Sequence, residues 1–215
     1  MSAEPIMEPV MTQVDPIDLL IAFEEASPMP IRAEYIEETG IVPPQPDEEH
    51  SDGIAQLFLQ FNDAGFRFAG FGMGFRAAHE DSRTAALVIP DFYVRRRKAT
   101  ELDEAYSKTH KGWYPIDMLA VVGEVTSTNH EVDTGPKLRI YAGAGVPVYV
   151  LIHRKEKVAY CFSDPAATED TTVPATTGDA TVKHRYRREV KVDLGLPLPL
   201  PAPYPALDTT AFLTD

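Results

Sequence analysis

The segment from Met118 to Tyr149 constrains the fold of this chain more than any other stretch. It reads MLAVVGEVTSTNHEVDTGPKLRIYAGAGVPVY. Its apolar start has strand character and ends at an acid, Glu124, and a polar loop then leads to a predicted helix that carries Lys137. A second apolar run, Val146 to His153, follows as another strand. A strand, a helix and a strand in this order favour an α/β fold with a mixed sheet.

A second acid, Asp91, ends another strand-like run, AALVIPD. Two strand ends could therefore bring Asp91 and Glu124 together. Carboxylates a few ångströms apart repel each other, and a shared proton or a divalent cation relieves that repulsion. Oxygen ligands favour Mg²⁺ or Mn²⁺, which can position a phosphodiester and lower the pKa of a bound water, while a lysine such as Lys137 offsets charge. Alternatively, the two acids belong to a turn and a loop cap, and Lys137 is a solvated helix residue.

Apolar periodicity and turn residues predict the other helices, strands and loops. The stretch RAEYIEETGIV predicts a hairpin that carries Glu34, and a helix is predicted after Asp47. His50 is interpreted as an ordinary residue of that helix N-terminus. The polar segment 95–114 is predicted as a long exposed loop, either irregular or in part helical, and the helix after Glu124 is predicted to start near Pro136.

The size and composition of the chain indicate one globular unit. With 215 residues, of which 44% are hydrophobic, it can bury a substantial core. We expect a flexible tail over residues 1–14 and a single domain over residues 15–215. A single cysteine and an N-terminus without signal-peptide features predict a cytoplasmic protein. No apolar run approaches the roughly 18 residues of a membrane span.

The net charge of −13 argues against broad positive potential, which is the usual electrostatic feature of nucleic-acid binders. The charge is uneven, because residues 1–52 hold 13 acids and one base. The remainder is nearly neutral and contains a basic segment that could contact DNA phosphates. The candidate DNA-binding residues are Arg95, Arg96, Arg97, Lys98 and Lys111. Alternatively, this segment is a solvated face that balances local acids.

Several stretches, taken together and in order, resemble the PD-(D/E)xK nuclease superfamily, and within it a group of small bacterial restriction endonucleases. The matching stretches are AEYIEETG with Glu34, His50 at the first long helix, IPD with Asp91, VVGEVTS with Glu124, Asp133-x3-Lys137-x3-Tyr141, and AGVPVYVLI. The resemblance covers roughly residues 30–162. It implies a restriction-endonuclease-like mixed sheet flanked by helices, here with an added N-terminal hairpin.

The resemblance also implies an activity, namely metal-dependent hydrolysis of phosphodiester bonds in DNA with Mg²⁺ or Mn²⁺. Carried over by position, Asp91 and Glu124 would be metal ligands, Lys137 the catalytic lysine and Glu34 an auxiliary acid. The superfamily places its lysine two residues after the second acid, where this chain has Thr126, so the role passes to Lys137. A homodimer is one assembly that the superfamily suggests.

Two alternatives to an active nuclease stay open at this point. The acidity of the chain and Thr126 favour a catalytically silent binding protein that keeps the fold. A metal-dependent hydrolase of a smaller phosphate ester is the other alternative, but the sequence contains no recognisable phosphate-cradling loop.

Overall fold

Two mixed β-sheets carry most of the fold in a computed structural model that describes residues 14–126, 130–168 and 183–213. In the first sheet the described strands follow the spatial order β2 (Thr39–Ile41), β1 (Glu34–Ile36), β5 (Thr84–Val88), β4 (Phe75–Ala78) and β7 (Tyr114–Pro115). The β4–β7 pair is parallel, and its neighbours are antiparallel. The predicted N-terminal hairpin is therefore the edge of this sheet.

The second sheet contains the strand that ends at Glu124. In the described residues its spatial order is β11 (Lys183–Asp193), β10 (Val158–Thr168), β9 (Val148–His153), β8 (Leu119–Val125), β6 (Phe92–Arg95) and β3 (Ala69–Gly70). Strands β8 and β9 are parallel, with Glu124 opposite Leu151. A parallel pair needs a crossover connection, and the helical segment between the two strands supplies it.

The helices pack around these sheets. Their bounds are α1 (Pro16–Ala26), α2 (Glu48–Asp63), α3 (Glu101–Thr109), α4 (His130–Val132) and α5 (Leu138–Gly143), with single 3₁₀ turns at Ile116–Met118 and Thr210–Phe212. A π-helical stretch, Asp133–Lys137, joins α4 to α5. None of the helices in the described ranges has both the length and the apolar character that a bilayer crossing requires.

The structure defines one predicted helix more closely and corrects the start of another. The segment 95–114 contains α3, because Thr100 and Asp103 form a reciprocal capping box that satisfies the free N–H groups of its first turn. The crossover helix begins before Pro136, which lies inside the π-helical stretch. Proline has no N–H to donate in a helix interior, and a π-helical turn changes the local bonding pattern at that point.

Strand β8 is buried on both faces, as expected for a strand of a sheet that other elements cover on both sides. Val121 and Val125 point to one face and pack in a cluster with Leu57 and Phe61 of α2. Val122 points to the opposite face and packs in a cluster with Tyr141 of α5. Because side chains alternate along a strand, Glu124 faces the same side as Val122. The fold therefore directs this carboxylate toward the crossover helix.

We expect Gly123→Ala to destabilise the protein by about 1 to 3 kcal/mol. A Cβ at Gly123 would lie 2.0 Å from two ring carbons of Phe92, which is buried and opposite Gly123 in the sheet. Urea unfolding measures the effect. Gly143→Ala is the matched control, because its Cβ would come no closer than 3.6 Å to a neighbouring atom. An unchanged unfolding midpoint for Gly123→Ala would contradict this packing of the Phe92 ring.

Candidate active site

The carboxyl end of β8 opens into a cleft of about 260 Å³. The structure brings together there the four residues that the sequence predicts as catalytic. Asp91 comes from the turn between β5 and β6, Glu124 from β8, Glu34 from β1 and Lys137 from the π-helical stretch. Asp133, one helical turn before Lys137, also lines the cleft. Elements from both sheets and from the crossover helix therefore meet at one point.

Lys137 lies at the centre of this group. Its Nζ is 3.1 Å from Glu34 Oε2 and 3.1 Å from Glu124 Oε2, and Asp133 Oδ1 is 3.6 Å away. The residue is 5% exposed. A buried ammonium is tolerated only when it is paired, and three carboxylates surround this one.

Neutral donors hold the second oxygens of two of these acids. The Tyr141 hydroxyl donates to Glu124 Oε1 at 2.7 Å, and the Ile89 N–H donates to Glu34 Oε1 at 2.6 Å. Both glutamates are 2% exposed. Each carboxylate is therefore fixed at both oxygens, once by Lys137 and once by a neutral group.

Thr126, which stands where the superfamily places its lysine, has a structural role. It is buried, and its hydroxyl accepts a hydrogen bond from the Arg154 N–H at 3.1 Å. Its own N–H donates to the Ile152 carbonyl. Thr126 thus extends the pairing of β8 with β9, and the lysine reaches the acids from the helix instead.

Asp91 is oriented by two donors on one oxygen. The Val125 N–H donates to Asp91 Oδ2 at 2.7 Å, and His50 Nε2 lies 3.2 Å from the same oxygen. His50 Nε2 is also 3.1 Å from the Val125 carbonyl oxygen, which can only accept, so Nε2 carries a hydrogen. In the described part of the chain no hydrogen bond reaches Asp91 Oδ1.

His50 is a site residue that reasoning from the sequence undervalued. It is 8% exposed and belongs to the first turn of α2, where its N–H donates to the Asp47 side chain. Its place in the helix is as predicted, but its imidazole reaches 41 residues along the sequence to Asp91. Only its place among the stretches that resemble the nuclease superfamily could have indicated this contact.

The cluster carries more negative charge than one lysine offsets. Burial raises the pKa of Glu124 well above its ordinary value, and the charges of neighbouring acids add to this shift, while Lys137 opposes it. Burial likewise raises the pKa of Asp133 to about 6. Burial alone would lower the pKa of Lys137, but the surrounding carboxylates outweigh it and hold that pKa well above its ordinary value. Lys137 is therefore an ammonium at neutral pH.

The oxygen donors available to a metal come from a small set of groups. The Asp91 and Glu124 side chains and Val125 line the cleft. Among the residues that the structure describes, no group of three or more His, Cys, Asp or Glu side chains is arranged to hold a metal ion. Mg²⁺ commonly takes one or two carboxylates and completes its shell with water and phosphate oxygens. The two acids that line the cleft match the number of carboxylates that Mg²⁺ commonly takes.

The predicted basic segment lies at the other end of β6. The strand begins beside Asp91 and ends at Arg95, so four residues, or about 13 Å, separate them. Arg96 donates to the Leu119 and Gly145 carbonyls. Arg97 forms an ion pair with Asp103, Lys111 forms one with Asp18, and Lys98 is exposed. A DNA-binding role for Arg95, Arg96, Arg97, Lys98 and Lys111 stays a prediction.

Comparisons with known proteins agree with this architecture. A protein-family model described as "Uma2: Putative restriction endonuclease" matches residues 21–188, well over half of the chain. No curated protein matches. A solved chain from Anabaena variabilis, described as a "putative nuclease belonging to DUF820", is similar with a TM-score of 0.55 and 16% identity, covering 90% of this chain and 96% of that chain. This likeness confirms the predicted fold class.

We expect Asp133→Asn to stabilise the metal-free protein at about pH 8 by about 1 to 3 kcal/mol. The native pKa of Asp133, about 6, exceeds its ordinary value of 3.8. The folded state therefore favours the protonated acid, and stability is lost as pH rises between these two values. Asparagine removes this loss, so the gain should be smaller at about pH 5.

Urea unfolding in a chelator at both pH values measures the difference. Asp117→Asn, which removes an exposed acid outside the cleft, is the control and should change stability little at either pH. A lower stability for Asp133→Asn at both pH values would contradict this account, because it would mean that attraction to Lys137 outweighs burial and repulsion.

Proposed function

Because this chain belongs to the Uma2 family, we propose that it is a divalent-metal-dependent endonuclease that hydrolyses phosphodiester bonds in DNA. The observation that carries the proposal is the convergence of Asp91 and Glu124 on one cleft around a buried Lys137 ammonium. Paired acids with a lysine supply both the oxygen ligands and the positive charge that phosphodiester hydrolysis needs.

In this proposal Asp91 and Glu124 would hold Mg²⁺ or Mn²⁺. The donors are hard oxygens, and the neighbouring acids that help to raise the pKa of Glu124 would also favour a divalent cation at this position. When bound, the metal supplies a more acidic water and offsets charge on the phosphate.

The chain's own residues prepare these groups. The Val125 N–H and His50 Nε2–H fix one oxygen of Asp91, which would leave the other oxygen, Oδ1, for the cation. Lys137 fixes Glu124 and is itself held by Glu34. Because Lys137 is protonated at neutral pH, it acts as a positive charge near the phosphate and not as a general base.

A catalytically silent binding protein is the second candidate, and one observation favours it. Both oxygens of Glu124 are already bonded, one by Tyr141 and the other by Lys137. Metal binding would have to share or displace one of these bonds. If that does not occur, the fold would bind DNA without cleaving it.

We expect Asp91→Asn and Glu124→Gln each to lower metal-dependent cleavage of supercoiled plasmid by about 100-fold or more, since even residues that only support metal ligands cost 10- to 100-fold. Both changes remove charge with little change of shape. Asp63→Asn, which changes an exposed acid outside the cleft, is the control. A folded wild type that binds DNA but cleaves neither double nor single strands in Mg²⁺ or Mn²⁺ would favour the silent alternative.

His50→Ala should weaken metal binding by about 10- to 100-fold, because Asp91 loses a donor that orients it. His50→Gln keeps an N–H donor near the same position and should recover part of the affinity. Isothermal titration with Mn²⁺ measures both, alongside the thermal midpoint. If His50 only supports the fold, both variants will lower the midpoint and leave metal affinity unchanged.

A further inference from the structure

A second cavity, of about 310 Å³, adjoins the catalytic cleft. His50, Ile89 and Asp91 line both spaces, so the two share a wall. Beyond that wall the second cavity is mainly apolar, with Ile54 and Phe71 among its lining residues. We call it the Phe71 pocket. An apolar space that opens beside a group of carboxylates is suited to the apolar part of a substrate whose charged part lies in the cleft.

Phe71 is an exposed aromatic residue at this pocket. Its side chain is 58% exposed, and its ring makes an edge-to-face contact with Phe58 at 5.6 Å between centroids. The following residue, Gly72, has a φ of +78°, a conformation that residues with a Cβ rarely adopt. Phe71 and Gly72 both line the Phe71 pocket. Exposed aromatic rings of this kind are the usual stacking surfaces for unpaired bases.

Arg32 supplies a cation between the two spaces. It lines the cleft, and its Nη1 donates at 2.5 Å to the carbonyl of Gly72, which lines the Phe71 pocket. Its guanidinium carbon lies 5.9 Å from the centre of the Trp113 ring. Within the described residues no carboxylate forms an ion pair with Arg32. Its charge is thus held in place and available to an anion, in a cleft otherwise dominated by acids.

We infer that Arg32 and the Phe71 pocket form a nucleotide subsite beside the acids. Arg32 contacts a phosphate next to the one at Asp91, and the pocket takes the base of that nucleotide, which stacks on Phe71. A base in an intact duplex is already stacked and paired, so the subsite requires an unpaired nucleotide. The inference rests on the proposed function, and it specifies the substrate as a DNA strand with at least one unpaired base at the cleavage point.

Binding without cleavage tests the subsite. Fluorescence anisotropy in EDTA compares a labelled oligothymidylate of about twelve nucleotides with a hairpin duplex of equal length. Wild type should bind the single strand more tightly. Phe71→Ala should weaken single-strand binding by about 5- to 100-fold and bring it close to duplex binding, whereas Phe71→Trp should retain it. Phe23→Ala removes another exposed phenylalanine outside both cavities and should leave affinity unchanged.

The salt dependence separates the phosphate contact from the base contact. Arg32→Ala should reduce the slope of log affinity against log salt by about 0.7, the value for one phosphate on a single strand, and Phe71→Ala should leave the slope unchanged. Arg83→Ala, an exposed arginine outside both cavities, is the control. Equal affinities for Phe71→Ala and Phe23→Ala, or an unchanged slope for Arg32→Ala, would overturn the subsite.

Failure of the subsite is distinguishable from failure of the proposed nuclease. Phe71-dependent single-strand binding by a protein that cleaves nothing would keep the subsite and overturn the endonuclease. The opposite result is metal-dependent cleavage that Asp91→Asn abolishes and Phe71→Ala leaves unchanged on nicked, single-stranded and duplex DNA. That result would keep the endonuclease and overturn the subsite. The wild type could also self-associate through the pocket, in which case Phe71→Ala would abolish the self-association. That result would assign the pocket to a second copy of the chain and overturn the subsite.

Discussion

The buried ammonium of Lys137 is the interaction on which the site depends. A lone buried charge is costly, and Lys137 is tolerated because Glu34, Glu124 and Asp133 surround it. These acids come from an edge hairpin, from the central strand of the other sheet and from the crossover helix. One cation therefore ties together three elements that are distant along the chain. Removing it would leave buried carboxylates without a partner, which is more damaging than losing a surface ion pair.

The charges of the same cluster lower the stability of the metal-free protein. Burial and mutual repulsion raise the pKa of Glu124 and of Asp133, so the folded state would be more stable with fewer charges. An arrangement that stores negative charge at a cleft is typical of functional sites. A divalent cation bound there would offset that charge and stabilise the folded state. The cost in the metal-free state is consistent with the metal-dependent function that we propose.

Local patterns predicted much of the fold, because they depend on neighbouring residues. The alternation and apolar runs that end at Asp91 and Glu124 predicted the strands on either side of the cleft, and the segment between β8 and β9 predicted a crossover helix. The predictions failed where local preference and tertiary packing differ. Pro136 usually marks a helix start, but here it lies inside a π-helical stretch that carries Lys137. In the segment 95–114 the sequence left both an irregular loop and a partial helix open, and the structure shows α3 starting at the Thr100 capping box.

The sequence by itself determined which residue types were available: acids after two apolar runs, a lysine one helical turn after an aspartate, and a histidine near a helix start. Tertiary structure alone decided how they meet. Pairing of β8 with β6 and β9 sets Asp91 beside Val125, and packing of α2 brings His50 onto both. The tertiary structure also placed Arg32 at the cleft, whereas Arg95 lies at the far end of β6. Contacts between residues far apart in sequence depend on sheet register and helix packing, which no local pattern encodes.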